Sequence, residues 1–156
     1  MTRANLSPPI VDEKCEIAVL RVTIARIYRA LRHSASSGIT ASQISVLFRI
    51  EQIEPVRMGV LAQLERITPA SLSKVIDSLE SLQLVEREPD PLDGRVTLLR
   101  VASAGRELID RQRAASTRAL EEALTKMDRR QHELLLESLP ALQGLAEILL
   151  AQVEAP

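Results

Sequence analysis

The chain has almost no aromatic side chains: one Phe (Phe48), one Tyr (Tyr28) and no Trp. Its core must therefore come from Leu, Ile, Val and Ala, which favours interlocking helices. It has a single cysteine, Cys15, which excludes an intramolecular disulfide and any multi-cysteine metal site. The two histidines, His33 and His132, stand far apart without a neighbouring ligand pair, so neither a metal nor a cofactor is expected. The chain shows no Gly-rich phosphate loop and no nucleophile with an evident base, so an enzyme is not expected. No apolar run approaches the ~18 residues that span a bilayer, and "MTRANLSPPIVDEK" lacks the apolar centre of a signal peptide. No membrane partner and a cytoplasmic location follow as expectations. A basic excess is also missing. The net charge is −1 and the pI about 6.2, whereas a non-specific nucleic-acid binder normally carries surplus cations. Any role on DNA must rest on a few placed groups.

What is present is helical periodicity. The apolar fraction is 46%, and 156 residues make one domain, 1–156, the simplest reading. Residues 1–10, with Pro8-Pro9, read as a mobile arm. Over 11–33, Ile17, Leu20, Ile24, Ile27, Tyr28 and Leu31 recur at helical steps, and "SASSG" (34–38) ends that helix. Thr40 or Ser42 can cap a second helix bearing Ile44, Leu47, Phe48 and Ile50, which Pro55 ends. Residues 57–65 predict a short helix with Val60, Leu61 and Leu64 inward. Thr68 is a good N-cap, and Pro69 falls at the first helical position, where its missing N–H costs nothing. Leu72, Val75, Ile76, Leu79 and Leu82 then form one stripe, with Ala70, Lys74, Asp77 and Ser81 opposite.

Residues 84–87 and 95–101 read as a two-stranded ribbon around a Pro/Asp/Gly tip. A long helix follows from Ser103 to about Met127, with Leu108, Ile109, Ala119, Leu120, Ala123, Leu124 and Met127 on its inner side. Asp128 and Gln131 resemble a capping pair. They open a last helix carrying Leu135, Leu139, Leu142, Ala146, Leu149 and Val153, which Pro140 should bend.

This order predicts a mainly α fold with a small β-wing. A winged helix-turn-helix over 39–101 would be flanked by long helices over 11–37 and 103–154. The short helix would brace the capped one, and the capped one would enter a major groove, which is wide enough to admit it. In the wing, Pro89 and Pro91 stiffen the approach and Gly94 permits the turn. Arg95, just past the tip, can reach phosphate or a narrow A·T-rich minor groove. Asp93 should pair with an arginine and hold the loop, and Asp77 is expected to be structural, pairing with a wing arginine.

"TPASLSKVIDSLESLQLVEREPDPLDGRVTLLRVASAGREL" (68–108) resembles the recognition helix and wing of the multiple-antibiotic-resistance regulator (MarR) family. The matching pieces are Ser73-Lys74, the Val-Glu-Arg at 85–87, Asp93-Gly94-Arg95 and Ala104-Gly105; "ASQISVLFRI" (41–50) resembles the family's second helix. The resemblance implies a homodimer whose terminal helices interlock. Each subunit would present one winged helix to a half-site of palindromic double-stranded DNA. It also implies a repressor released by a small-molecule ligand or by oxidation. Carried over, Ser71, Ser73 and Lys74 lie near base edges and phosphates, with Thr68 and Ala70 beside them. Arg95 is the wing's DNA-reaching arginine, and Asp93, Gly94 and Arg87 shape the wing. Three positions depart from the family pattern. Lys74 stands where an arginine is frequent, Gly94 where a second basic residue is, and Ala102 where a threonine opens the next helix, so Ser103 is expected to cap instead.

Two rival readings remain. One is a helical protein-interaction module without DNA binding. Over 55–101 six cations (Arg57, Arg66, Lys74, Arg87, Arg95, Arg100) face seven acids (Glu65, Asp77, Glu80, Glu86, Glu88, Asp90, Asp93), which favours it. The other is a thiol sensor using Cys15; a buried structural role is the plainer expectation for that residue, because Tyr28 is the lone aromatic hydroxyl. A ligand pocket would lie near His33 and the loop 34–37, and the scarcity of aromatics argues against a stacking cage for planar compounds.

Overall fold

A computed structural model of the chain describes residues 13–33, 38–94 and 96–154, without the side chains of Glu13, His33, Val153 and Glu154. The N-terminal arm, the His33 side chain, the loop 34–37 and Arg95 lie outside the described residues. The chain forms two compact units, 1–116 and 117–156.

The first unit runs α1 (Glu13–His33), α2 (Ala41–Ile53), β1 (Val56–Arg57), α3 (Met58–Leu64), α4 (Pro69–Ser81), β2 (Val85–Pro89), β3 (Thr97–Val101) and the larger part of α5 (Ser103–Thr125). Thr40, rather than Ser42, caps α2. Its hydroxyl accepts from the Gln43 N–H while Gln43 Oε1 accepts from the Thr40 N–H, a reciprocal box. The Gln43 amide also donates to Ser78 Oγ at 2.8 Å, tying the start of α2 to α4.

The core gathers Leu47 and Ile50 of α2, Leu61 of α3, Leu72, Ile76 and Leu79 of α4, Leu99 of β3 and Ile109 of α5. Val46 joins it and Ile44 is only half covered. In α3 the expected inward face is corrected. Leu61 and Ala62 are buried, whereas Val60 and Leu64 are 46% and 38% exposed. At 100° per residue Ala62 lies on one flank of Leu61 and Val60 with Leu64 on the other. A two-turn helix gives no further repeat to say which flank meets the core. The turn from α3 to α4 closes through Arg66 in the left-handed region (φ 53°), with Ile67 N–H donating to the Ala62 carbonyl.

The expected two-stranded ribbon is a three-stranded antiparallel sheet in the order β1-β3-β2. Val56 pairs with Leu99 and Arg57 with Leu98, while Val85 to Pro89 run against Val101 to Thr97. Two residues are too short for an alternation pattern, so β1 was invisible in sequence. It also explains the adjacent Leu98-Leu99: β3 is the central strand, with Leu99 fully buried and Leu98 half-buried opposite Arg57 and Glu88.

α5 begins at Ser103 itself, so Ser103 is not its cap. Ala102 stands before it, buried, its N–H donating to the Leu84 carbonyl at 3.0 Å and its carbonyl accepting from Arg106 N–H. Two side-chain clamps join α5 to α2. Glu54 accepts from the Val101 N–H at 2.7 Å and pairs with Arg106 at 2.6 Å. Arg113 grips both oxygens of Glu51, at 2.9 and 2.7 Å, with its guanidinium 5.5 Å from the Phe48 ring centre. Ser116 donates to the Leu31 carbonyl at the end of α1.

The second unit holds the end of α5, α6 (Arg129–Glu137) and α7 (Leu139–Glu154). Asp128 caps α6 by accepting from Gln131 N–H at 2.8 Å. The single bent helix expected here is two helices meeting at 45° around Ser138. Pro140 falls in the first turn of α7, where an N–H has no intrahelical partner to lose.

None of the described residues of this unit is buried, and Leu120, Leu142 and Leu149, expected inward, are exposed. The same correction applies to α1, where Ile17, Leu20, Ile24, Ile27 and Tyr28 are all exposed. These stripes have the helical spacing of a buried face but no covering surface in one chain. Among the described residues no single helix is long and apolar enough to cross a membrane; α6 and α7 reach that only jointly, across their bend.

Candidate nucleic-acid interface

The first two turns of α4 are built from a cap outward. The Thr68 hydroxyl accepts from Ser71 N–H at 3.1 Å and donates to Ser71 Oγ at 2.9 Å, with Pro69 in the first turn. The Ser71 proton is thereby left to donate outward. Leu72, Ile76 and Leu79 anchor the inner face, all fully buried. Thr68, Ala70, Ser71 and Lys74 are exposed and Ser73 is half-buried, so these five of the six residues singled out in sequence share one end of one helix, the sixth, Arg95, lying outside the described residues. Lys74 makes no ion pair among the described residues.

The wing is fastened to this helix. Arg87 of β2 pairs with Asp77 and, at 3.0 Å, with Glu80, both on α4. That is the role expected for Asp77. Arg100 pairs with Glu88 across the strands at 2.8 Å. Asp93 was expected to pair with an arginine; the nearest in sequence, Arg95, lies outside the described residues, and the Asp93 carbonyl accepts from Val96 N–H at 2.9 Å. Gly94 does not supply the freedom expected of it. Its φ is outside the left-handed region, and a Cβ there would meet open space.

Sequence reasoning missed the wing's main strut. Asp90, 6% exposed, accepts from Arg57 of β1 at 2.7 Å and from Leu92 N–H at 2.9 Å, while its own N–H donates to the Val96 carbonyl at 2.8 Å. An Asp followed by Pro is a legible turn signal. Its partner, 33 residues away, is not legible.

The Leu92 N–H bond, then the Arg57 hydrogen bond and charge, hold the Asp90 carboxyl below its ordinary value of 3.8, against the opposing effect of burial. A depressed folded-state pKa means that the unfolded chain takes up the proton first as pH falls. The carboxylate's contribution to stability is therefore complete above about pH 4 and is lost as pH drops through the lower folded value. Asp90→Asn should leave a protein whose urea midpoint falls less steeply below pH 4 than the parent's; parallel acid profiles would show that Asp90 does not titrate with folding.

The ion pairs show where most of the module's charges are engaged. Glu65, Asp77, Glu80, Glu88 and Asp90 are each paired with an arginine of the same module. These five of the seven acids over 55–101 serve architecture.

Cys15 is exposed on α1, which corrects the expectation that it is buried. The Tyr28 hydroxyl accepts from Arg32 at 3.1 Å. No group of three or more His, Cys, Asp or Glu among the described residues is placed to hold a metal.

A bracing helix, a tight turn, a capped helix with polar exposed first turns and an antiparallel wing define a winged helix-turn-helix protein. The pattern of the MarR family matches residues 39–97. An uncharacterized HTH-type transcriptional regulator of Mycobacterium bovis is 33% identical over 136 residues, which is 86% of this chain and 90% of that one. Among solved structures, a transcriptional regulator of Thermotoga maritima superimposes with a TM-score of 0.75 at 23% identity, over 89% of this chain and 99% of its own. A MepR mutant of S. aureus bound to an oligodeoxyribonucleotide gives 0.63 at 15% identity, over 84% and 97%. The chain belongs to the MarR family of transcriptional regulators.

Proposed function

We propose that the chain works as a cytoplasmic homodimer on a palindromic double-stranded operator, with α4 of each subunit in the major groove of one half-site and the wing beside it. The observation that carries this reading is the two-sidedness of α4. Leu72, Ile76 and Leu79 of its inner stripe are fully buried, Val75 is half-buried and Leu82, expected inward, stands 48% exposed at the C-cap, while the capped N-terminal half presents Ala70, Ser71 and Lys74 to solvent. The MepR neighbour, bound to an oligodeoxyribonucleotide, supports it by likeness of fold. The unpartnered apolar stripes of α1 and, separately, α7 support dimerisation through segments 11–37 and 103–154, with 39–101 as the reading module of one domain, since monomers rarely leave such large contiguous apolar surfaces uncovered. The repressor role and release by a small ligand rest on family membership. With one Phe and one Tyr, an aliphatic or acidic ligand suits the chain better than a planar aromatic one.

Selection of bound DNA from a random pool tests the whole reading. The expected product is a palindrome with half-sites about one helical turn apart. No enrichment from an intact dimer would instead identify an interaction module. With the operator in hand, Lys74→Ala should weaken binding and lower the slope of log K against log salt by about 1 per protomer, hence about 2 for the dimer. An unchanged slope would remove Lys74 from the phosphate contacts.

A further inference from the structure

A cleft of about 500 Å³ opens between α3 and the base of the wing, within the size range of small-molecule sites. It lies apart from the pocket expected near His33. Its hydrocarbon comes from Met58 and Val60 of α3 and from Val96, just before β3. Val60 is one of the α3 residues turned away from the core, and 46% of it is exposed. Gly59 adds no side chain to the lining. Its φ lies outside the left-handed region and a Cβ there would meet nothing within 4 Å, so neither backbone nor packing calls for glycine. Glycine is also a poor helix former; what it leaves here is space.

The polar groups of the lining are Arg57, Gln63 and Thr97, and their hydrogen-bonding capacity is largely unfilled. Arg57 donates from Nη2 to Asp90 at 2.7 Å, while its Nε and Nη1 meet no acceptor among the described residues. The Gln63 and Thr97 side chains likewise have no partner among them. Arg57 is the sole charged residue of the described lining. A cation would meet it with like charge. An uncharged hydrocarbon would strip water from the guanidinium without replacing the lost hydrogen bonds. A planar aromatic compound would find no ring in the lining to stack on.

We infer that this cleft binds a short aliphatic carboxylate, whose hydrocarbon covers Val60 and Met58 and whose carboxylate accepts from Arg57, with Gln63 and Thr97 as further donors. Occupancy bears on the wing, because two lining residues hold Asp90. Arg57 does so through its guanidinium, and Val96 through its carbonyl, which accepts from Asp90 N–H. A second carboxylate on Arg57 divides a charge that otherwise serves Asp90 alone, and loosens the strut between β1 and the wing. The effect on DNA rests on the operator-binding reading above, for which it names a ligand class and a place of release; the binding itself does not.

The test follows backbone-amide and arginine side-chain resonances of the isotope-labelled full chain. It is titrated with sodium hexanoate, and in parallel with acetate and hexanol, at fixed pH and ionic strength. Hexanoate should give saturable shifts centred on residues 57–63 and 96–97, with acetate and hexanol each binding at least about ten-fold more weakly. Shifts that do not saturate, or that saturate elsewhere on the chain, overturn the inference. Equal binding of hexanol overturns it too, because Arg57 would then have no part. Gly59→Leu puts a side chain into the cleft and leaves the Arg57–Asp90 pair alone. It should lose the saturable shifts at an unchanged or higher melting temperature; if it binds hexanoate as the parent does, the cleft is not the site. A gel shift with the selected operator reads the wing. Saturating hexanoate should weaken the parent's binding at least about five-fold and leave that of Gly59→Leu unchanged. Undiminished parent affinity would sever the cleft from the wing. If the parent selects no DNA, the operator-binding reading fails alone, and the resonances still decide whether the cleft takes the carboxylate.

Discussion

Gly105→Ala should lower the melting temperature by about 5–10 °C, corresponding to about 2–3 kcal/mol of lost stability. Alanine is the better helix former by about 1 kcal/mol, so propensity alone predicts the opposite sign. Geometry decides. A Cβ on Gly105 would stand 2.2 Å from the Leu84 carbonyl oxygen and 2.8 Å from Val101 Cγ1. The Leu84 oxygen is main chain and already accepts from Ala102 N–H at 3.0 Å, so it cannot retreat without loosening the junction of β3 and α5. Gly105 is buried and Val101 is 4% exposed, so no solvent-side escape is open to either. Gly144→Ala is the control, since a Cβ there meets nothing within 4 Å; it should hold or raise the melting temperature. Equal behaviour of the two variants would mean that the helix start shifts freely and the close approach is not structural.

On the proposed homodimer, Ile24→Glu should convert a micromolar solution of dimers to monomers and cut affinity for the proposed operator by more than about a hundred-fold. Ile24 sits mid-stripe among Leu20, Ile27 and Tyr28, all exposed in the single chain. Glutamate has nearly the helix propensity of leucine and remains solvated in a monomer, so α1 itself should survive. In a dimer joined through this face the carboxylate would be buried without a partner, at about 3–5 kcal/mol per copy, and two-fold symmetry makes it occur twice. Sedimentation reads the first effect. A gel shift reads the second, because two unlinked reading heads lose the effective concentration that a dimer gives them. A variant that sediments and binds as the parent does would show that α1 is not the interface.

How much of this was legible in sequence follows the distance over which each signal acts. The cap and stripe of α4 were readable because Thr68, Pro69, Leu72, Ile76 and Leu79 lie within a few turns of one another. Thr40 was readable as one of two candidate caps for the same reason, and all the residues proposed to face DNA except Arg95 cluster at the start of α4, whose phase was clear. Failures came where a remote partner decides. β1 exists only because Val56 meets Leu99. The burial of Ala62 rather than Val60 depends on which flank of a two-turn helix meets the core. Asp90 reads as a turn residue until Arg57 is placed beside it. Ala104-Gly105 was recognisable as a family signature, but its cause, the approach of a carbonyl two elements away, was not. The freedom assigned to Gly94 is unused, because the loop is held by hydrogen bonds around Asp90 that propensity does not reveal.

The pairing of arginines with acids inside the reading module bears on how such regulators are found. Because Arg57, Arg87 and Arg100 are matched within the fold, the module's isoelectric balance records its internal bracing and says little about what its outer face can grip. A genome survey that ranked candidate gene-control proteins by basicity would pass this chain over, and would pass over any sibling whose cationic surplus is spent on scaffolding rather than display.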